Sequence, residues 1–237
     1  MSKLPEIETQ EDSEILAMRE RYAVRTGLDR YAYFKPDVYM NNQERERAII
    51  QMFVKHGFSN PENLKLLDVG SGHGKNFLNF LKFGFQPNNM TGIELFEDRC
   101  KYARTILPRD ISLISGDALK ANIENESMDV ICQFVVFSSI LDDVFQQDLA
   151  NKMWDWLKPG GIILWFDFVY NNPSNKDVRR VSKKRVKELF PKGKFSFKRV
   201  ILAPPISRRI SELSPKLYTV FNAMPFLRSH VLGFIKK

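Results

Sequence analysis

The chain is poor in cysteine, with Cys100 and Cys132 the only two among 237 residues. Two thiols alone cannot complete a zinc site, and no metal is expected. Cys132 lies inside an apolar run, where a buried free thiol is the plain reading. Long hydrophobic runs are also missing. The richest apolar segment, Gly161 to Val169, is too short to span a bilayer and carries Asp167. The first residues are acidic (Glu6, Glu8, Glu11, Asp12, Glu14) without an apolar stretch, so no signal peptide is expected. Free thiols and no leader together fit a reducing cytoplasm. No G-K-S/T follows a glycine-rich turn at the spacing of a P-loop, which excludes that phosphate cradle.

What is present is an ordinary globular composition, 43% hydrophobic and 27% charged. A length of 237 residues suits one α/β domain with a small appendage. The charge is unevenly divided. Residues 176–237 hold 17 Lys/Arg against 3 Asp/Glu, a net of +14. Subtraction from the totals of 36 and 28 leaves 19 against 25, a net of −6, for residues 1–175. A basic C-terminal quarter points to an anionic partner: phosphate groups, a membrane surface or nucleic acid. The alternative is a solvated basic face.

The rest of the chain is organised around residues 64–77. Leu64, Leu66, Leu67 and Val69 form the apolar run of a strand covered on both faces. Gly70, Gly72 and Gly74 then make a tight turn, and Phe77, Phe80 and Leu81 follow at helical spacing. A ligand over such a turn meets backbone N–H groups and the positive end of a helix. The spacing is G-x-G-x-G rather than the dinucleotide G-x-G-x-x-G, with Asp68 two residues upstream. Glycines that only turn a β–α corner remain the alternative on this stretch alone.

Before the turn, helices are read at residues 12–28 and 42–56, with an aromatic cluster (Tyr31, Tyr33, Phe34, Tyr39) between them. After it, Met90 to Glu94 reads as a second strand ending in an acid, 24 positions beyond Gly70. A carboxylate there accepts hydrogen bonds from both ribose hydroxyls of a nucleotide. Ile111 to Ala118 reads as a third strand ending in G-D-A, and Met128 to Val135 as a fourth. A helix over Val144 to Leu157 leads through L-K-P-G-G to a fifth strand, Ile162 to Phe168. A basic helix near Val181 to Phe190 and a strand near Phe195 to Leu202 come next. Helix over Ile206 to Ala223 is interrupted near Pro215, and Arg228 to Ile235 is a last strand.

The pattern D-V-G-S-G-H-G, Glu94, G-D-A and L-K-P-G-G, in that order over about 100 residues, resembles the class I S-adenosylmethionine-dependent methyltransferases. The resemblance is firm over 64–170 and looser at both ends. It implies a Rossmann-like seven-stranded sheet of order 3-2-1-4-5-7-6 with strand 7 antiparallel. It also implies an N-terminal helical cap (1–60), a methyltransferase domain (61–237) and an insertion near 204–227 between strands 6 and 7. S-adenosyl-L-methionine is the implied cofactor. Carried onto this chain, its contacts are Asp68, Gly70, Ser71, Gly72, Gly74, Glu94, Leu95, Asp117, Ala118 and Gln133. Ser-Ser-Ile-Leu-Asp-Asp (138–143), Asn-Asn-Pro (171–173), Ala-Pro-Pro (203–205) and Leu-Arg-Ser-His (227–230) resemble small bacterial methyltransferases encoded beside cell-surface polysaccharide genes.

Methyl transfer from a sulfonium is an in-line displacement, so alignment is the main task. A hydroxyl acceptor also needs a base, whereas a phosphate or carboxylate needs none. Candidate bases lie where open α/β sheets bind ligands: Asp142, Asp143, Asp167, Tyr170 and His230. An antiparallel strand 7 places His230 near Asp167, a His–acid pair. The alternative for His230 is packing at a strand end. Tyr31, Tyr39, Arg208, Arg209 and Arg228 are the candidate acceptor contacts. The expected acceptor is an anionic small molecule, or a glycan- or lipid-linked one, with peripheral contact at the inner face of a membrane through the basic C-terminal region. Other readings are a small-metabolite methyltransferase, an RNA methyltransferase and a silent cofactor-binding partner subunit. Nucleic acid is disfavoured because no aromatic-and-basic RNA module and no N-P-P-Y or D-P-P-Y signature occurs.

Overall fold

The computed structural model describes residues 10–23, 32–171 and 175–237. Seven strands form one sheet: β1 (Leu66–Val69), β2 (Met90–Glu94), β3 (Ser112–Ser115), β4 (Met128–Phe134), β5 (Leu157–Phe168), β6 (Lys194–Leu202) and β7 (Arg228–Lys236). Their order is β3-β2-β1-β4-β5-β7-β6. β1 pairs in parallel with β2 and β4, while β7 runs antiparallel between β5 and β6. The described helices are α1 (Gln10–Ala23), α2 (Pro36–Lys55), α3 (Lys75–Lys82), α4 (Glu97–Ile106), α5 (Asp143–Trp156), α6 (Lys183–Leu189), α7 (Pro204–Leu213) and α8 (Pro215–Asn222).

The strands bury both faces, so alternate residues feed two cores. Leu67, Val69, Ile131, Ile163, Trp165 and Val231 face α5 and α6, where Phe145, Leu149, Met153, Val186 and Leu189 cover them. Leu66, Val130, Cys132, Leu164, Phe166 and Leu232 face the other way, under Ala48, Ile49, Met52 and Phe53 of α2 and Phe77 and Phe80 of α3. α2 is therefore a face helix of the sheet and not only a cap. It starts at Pro36, six residues earlier than the apolar spacing suggested. Proline fits there because a first-turn residue has no intrahelical N–H partner to lose.

β5 begins at Leu157 and takes in the L-K-P-G-G turn, which the sequence places before the strand. The last residue closes it: Gly160 N–H donates to Lys237 O at 3.1 Å, and Lys237 N–H to Gly161 O at 3.0 Å. The C-terminal insertion is two short helices. Tyr218 of α8 is fully buried and donates to Asn41 Oδ1 of α2 at 2.7 Å. Leu213, Leu217 and Val220 are exposed instead of packed.

Candidate functional site

The site forms where β1 ends and the chain turns into α3. Gly70 (φ +72°), Gly72 (φ +57°) and Gly74 (φ +79°) all adopt left-handed backbone. Gly70 and Ser71 N–H both donate to Ile93 O, at 2.8 and 2.9 Å, so the turn is held by the end of β2. A Cβ on Gly70 would run into the Val136 side chain, whereas one on Gly72 would meet nothing within 4 Å. Gly70 thus serves packing, and Gly72 presents bare backbone to an open face.

Glu94 closes the turn from the next strand. Its carboxylate is buried, accepts Gly72 N–H at 2.7 Å and Phe96 N–H at 3.1 Å, and has Arg99 Nη1 3.7 Å away. Two backbone donors leave acceptor capacity on both oxygens for ligand hydroxyls. One strand further, Asp117 Oδ1 accepts Leu119 N–H at 2.9 Å, while its Oδ2 is buried with no hydrogen-bond partner. Ser71 Oγ, inside the turn, is also buried and unpartnered. Buried polar atoms are normally satisfied, so the orphaned Asp117 oxygen at the corner after β3 marks a place for a ligand donor. Leu95 and Ala118 are half-buried beside these acids and pack on the core beneath.

Asp68 is fully buried under the turn, accepting from Asn76 Nδ2 at 3.2 Å and Cys132 Sγ at 3.4 Å. Burial pushes its carboxyl up to about 7. It supports the turn from below. At the end of β4, Val135 adopts φ +63°, a left-handed backbone that a β-branched side chain resists. Its N–H donates to Phe166 O at 2.8 Å, which holds that conformation.

Several expected roles are corrected. Asp142 caps α5, accepting Val144 and Phe145 N–H at 2.7 and 2.8 Å. Asp167 is fully buried and accepts Ser138 N–H at 3.1 Å and Phe168 N–H at 2.8 Å; burial raises it to about 7. His230 does not pair with it. His230 lies opposite Phe168 in the β5–β7 register and Asp167 opposite Val231, so the two side chains leave opposite sheet faces. His230 stacks on Phe166, with ring centroids 4.9 Å apart, and burial lowers it to about 3. Gln133, fully buried, donates to Phe166 O at 3.4 Å and accepts Val136 N–H at 3.0 Å, tying β4 to β5 instead of facing a ligand. Arg228 is spent on Asn222 O and Arg199 O, at 2.7 and 2.8 Å.

Other candidates stay at the surface. Tyr170 is exposed, and its hydroxyl accepts from Arg199 Nη1 at 2.7 Å. Tyr39 is exposed beside Tyr33. Arg208 and Arg209 are exposed on α7, with Arg208 Nε 3.8 Å from Asp37 Oδ2. Tyr31 lies outside the described residues. Sequence reasoning missed how α1 is fastened across the site. Arg21 donates to Glu14 at 2.7 Å and to Ser139 O at 3.0 Å, and Glu14 accepts Leu141 N–H at 2.9 Å. At the other side Arg19 donates to Leu95 O at 3.3 Å, and Arg99 lies over the rings of Tyr22 and Phe96. α1 therefore bridges the ends of β2 and β4.

Comparison with known proteins bears on the fold and on the stretch around this turn. Residues 67–165 match the family described as a methyltransferase domain. The sterol 24-C-methyltransferase of Candida albicans is 24% identical over 159 residues, 63% of this chain and 40% of that protein. The alignment therefore spans less than half of that relative. A S-adenosylmethionine-dependent methyltransferase from Archaeoglobus fulgidus superposes with a TM-score of 0.57 at 12% identity, covering 84% of this chain and 98% of that one. The 1,6-didemethyltoxoflavin-N1-methyltransferase of Burkholderia thailandensis, solved with bound 1,6-didemethyltoxoflavin and S-adenosylhomocysteine, gives 0.64 at 14% identity, covering 100% and 93%.

The fold is thus that of the class I S-adenosylmethionine-dependent methyltransferases. Residues 67–165 are the part that matches the methyltransferase-domain family, and S-adenosylmethionine is the cofactor this match implies. The residues present fit it. Glu94 would hold the ribose through its carboxylate, Asp117 the adenine amino group through its unpaired oxygen, and Gly72 would leave bare backbone to the link between them.

Proposed function

We propose that the whole protein is an S-adenosylmethionine-dependent methyltransferase that methylates an anionic oxygen acceptor, a phosphorylated or carboxylated glycan or lipid-linked sugar, at a membrane surface. The observation that carries the cofactor half is the acid-flanked turn: Glu94 closed on Gly72 N–H beside the unpaired Asp117 oxygen. When bound, the cofactor supplies a sulfonium methyl to an in-line nucleophile. The chain's part is to hold the ends of the reacting pair, with α1 fastened across the mouth to exclude water.

The acceptor half rests on what the edge of the sheet offers. Among the described candidates, Asp142 caps a helix, Asp167 is sealed beneath the sheet edge and His230 is stacked and hard to protonate. An acceptor oxygen that is already ionised needs no base. Arg208 and Arg209 on α7, with Leu213, Leu217 and Val220 exposed beside them, suit an anionic headgroup and its lipid. The association with cell-surface polysaccharide synthesis belongs to the same reading. A small-metabolite acceptor is the second reading, supported by the toxoflavin-type enzyme's likeness along the whole chain.

Methyl-labelled S-adenosylmethionine incubated with the protein and candidate acceptors separates the two. Label transferred to phosphate- or carboxylate-bearing glycolipid in anionic vesicles is expected. Label reaching only neutral, water-soluble acceptors would overturn the first reading in favour of the second.

A further inference from the structure

The helix stripe of α2 that packs on the sheet runs Arg45, Ala48, Ile49, Met52, Phe53. Four of these are core residues, and one carries a charge. Arg45 does not turn away to water. Its guanidinium carbon lies 5.4 Å from the Phe134 ring centroid and 5.5 Å from that of Phe166, over the carboxyl ends of β4 and β5. It donates to Asn42 Oδ1 of its own helix at 3.1 Å. Among the described residues no Asp or Glu comes within ion-pair distance of it, so most of its five donors are uncommitted within the protein. Arg45 is desolvated enough that its basicity is lowered, and Asp68 is among the acids whose field it feels. A half-buried guanidinium on two aromatic faces, with no carboxylate of its own, is a ready anion site.

Its place along the sheet edge identifies the anion. Reading the strands in order, Asp117 stands at the end of β3, Glu94 at β2, the glycine turn at β1 and Arg45 over β4 and β5. From β3 to β4 is three strand spacings, about 14 Å. An adenosine seated on Asp117 and Glu94 and laid over Gly72 points its 5′ substituent at Arg45. We propose that Arg45 binds the α-carboxylate at the amino-acid end of the cofactor. The inference rests on the cofactor reading above and names a residue which that reading did not need. An arginine fork can take both carboxylate oxygens at once, which also fixes the rotation of the sulfur-bearing chain.

Two ligands of known structure isolate the contact. S-adenosylhomocysteine carries the carboxylate, while 5′-methylthioadenosine has the same adenosine and thioether without it. In calorimetry, Arg45→Gln should weaken S-adenosylhomocysteine by tenfold or more and change 5′-methylthioadenosine by less than twofold. The second ligand also reports that the variant is folded. Arg45→Lys, which keeps the charge and loses the fork, should fall between. Unchanged S-adenosylhomocysteine affinity in Arg45→Gln, or equal loss for both ligands, overturns the assignment and leaves the cofactor reading standing. Failure of the unaltered protein to bind either ligand overturns both.

Discussion

Gly70 and Gly72 stand two residues apart with similar left-handed backbones, yet they answer to different constraints. Gly70 backs onto Val136, so Gly70→Ala adds overpacking to an unfavourable φ. It should cost about 2–4 kcal/mol of stability, read as a lowered urea midpoint. Gly72 faces open space. Gly72→Val should lose only about 1–2 kcal/mol of stability, from backbone strain. It should nevertheless abolish S-adenosylhomocysteine binding, because the side chain fills the ligand's path. Retained binding in a folded Gly72→Val protein would put the cofactor elsewhere. The two glycines are indistinguishable in sequence; only the neighbour that each one backs onto separates them. Arg45 shows the opposite case. Its helical spacing to Ala48, Ile49 and Met52 was readable, but it sits in N-N-Q-E-R-E-R, which reads as a solvated run.

Among the elements, the α7–α8 pair departs most from its sequence pattern. Leu213, Leu217 and Val220 suit either an inward face or a lipid, and all three are exposed, while Ser207, Ser211 and Tyr218 are buried and Tyr218 bonds to Asn41 of α2. A buried tyrosine bonded to Asn41 outweighed three aliphatic residues, and no local period announces a partner 177 positions away. The exposed face keeps the arginines. Replacing Arg208 and Arg209 together with alanine should leave S-adenosylhomocysteine affinity unchanged and raise the acceptor KM, more strongly at low salt. Unchanged acceptor kinetics would leave α7 a solvated face. The strand ends tell a similar story. The turn, Glu94 and the G-D-A corner were legible because each lies at the end of an apolar run. The His230–Asp167 pair was not, because one residue of register decides which face a strand side chain leaves.

At the scale of the molecule, the strand order was legible from the order of the loop motifs, and it seats two carboxyls in the protein interior. Asp68 and Asp167 both have folded-state values near 7, above the ordinary 3.8, because burial disfavours the charged form. Between about pH 4 and 7 these two carboxyls keep protons that the unfolded chain has released, while His230, lowered to about 3 by burial, lacks one that the unfolded chain keeps below about pH 6.5. The two carboxyls make stability fall as pH rises through that window and level off above pH 7, and His230 offsets part of that fall below about pH 6.5. Each group contributes at most about 4 kcal/mol to that fall. Asp167→Asn should lose one carboxyl's share of the fall in urea midpoints measured from pH 4.5 to 8, leaving a flatter curve than that of the unaltered protein; an unchanged curve would mean that Asp167 is ionised throughout. The central claim is that this sheet edge binds S-adenosylmethionine through the acid at the end of β2. Calorimetric titration of S-adenosylhomocysteine into the protein and into Glu94→Ala tests it most directly. The account predicts binding by the first and at least a tenfold loss in the second, one charged hydrogen bond of about 1.5 kcal/mol or more. Equal affinity in a folded Glu94→Ala protein would contradict it.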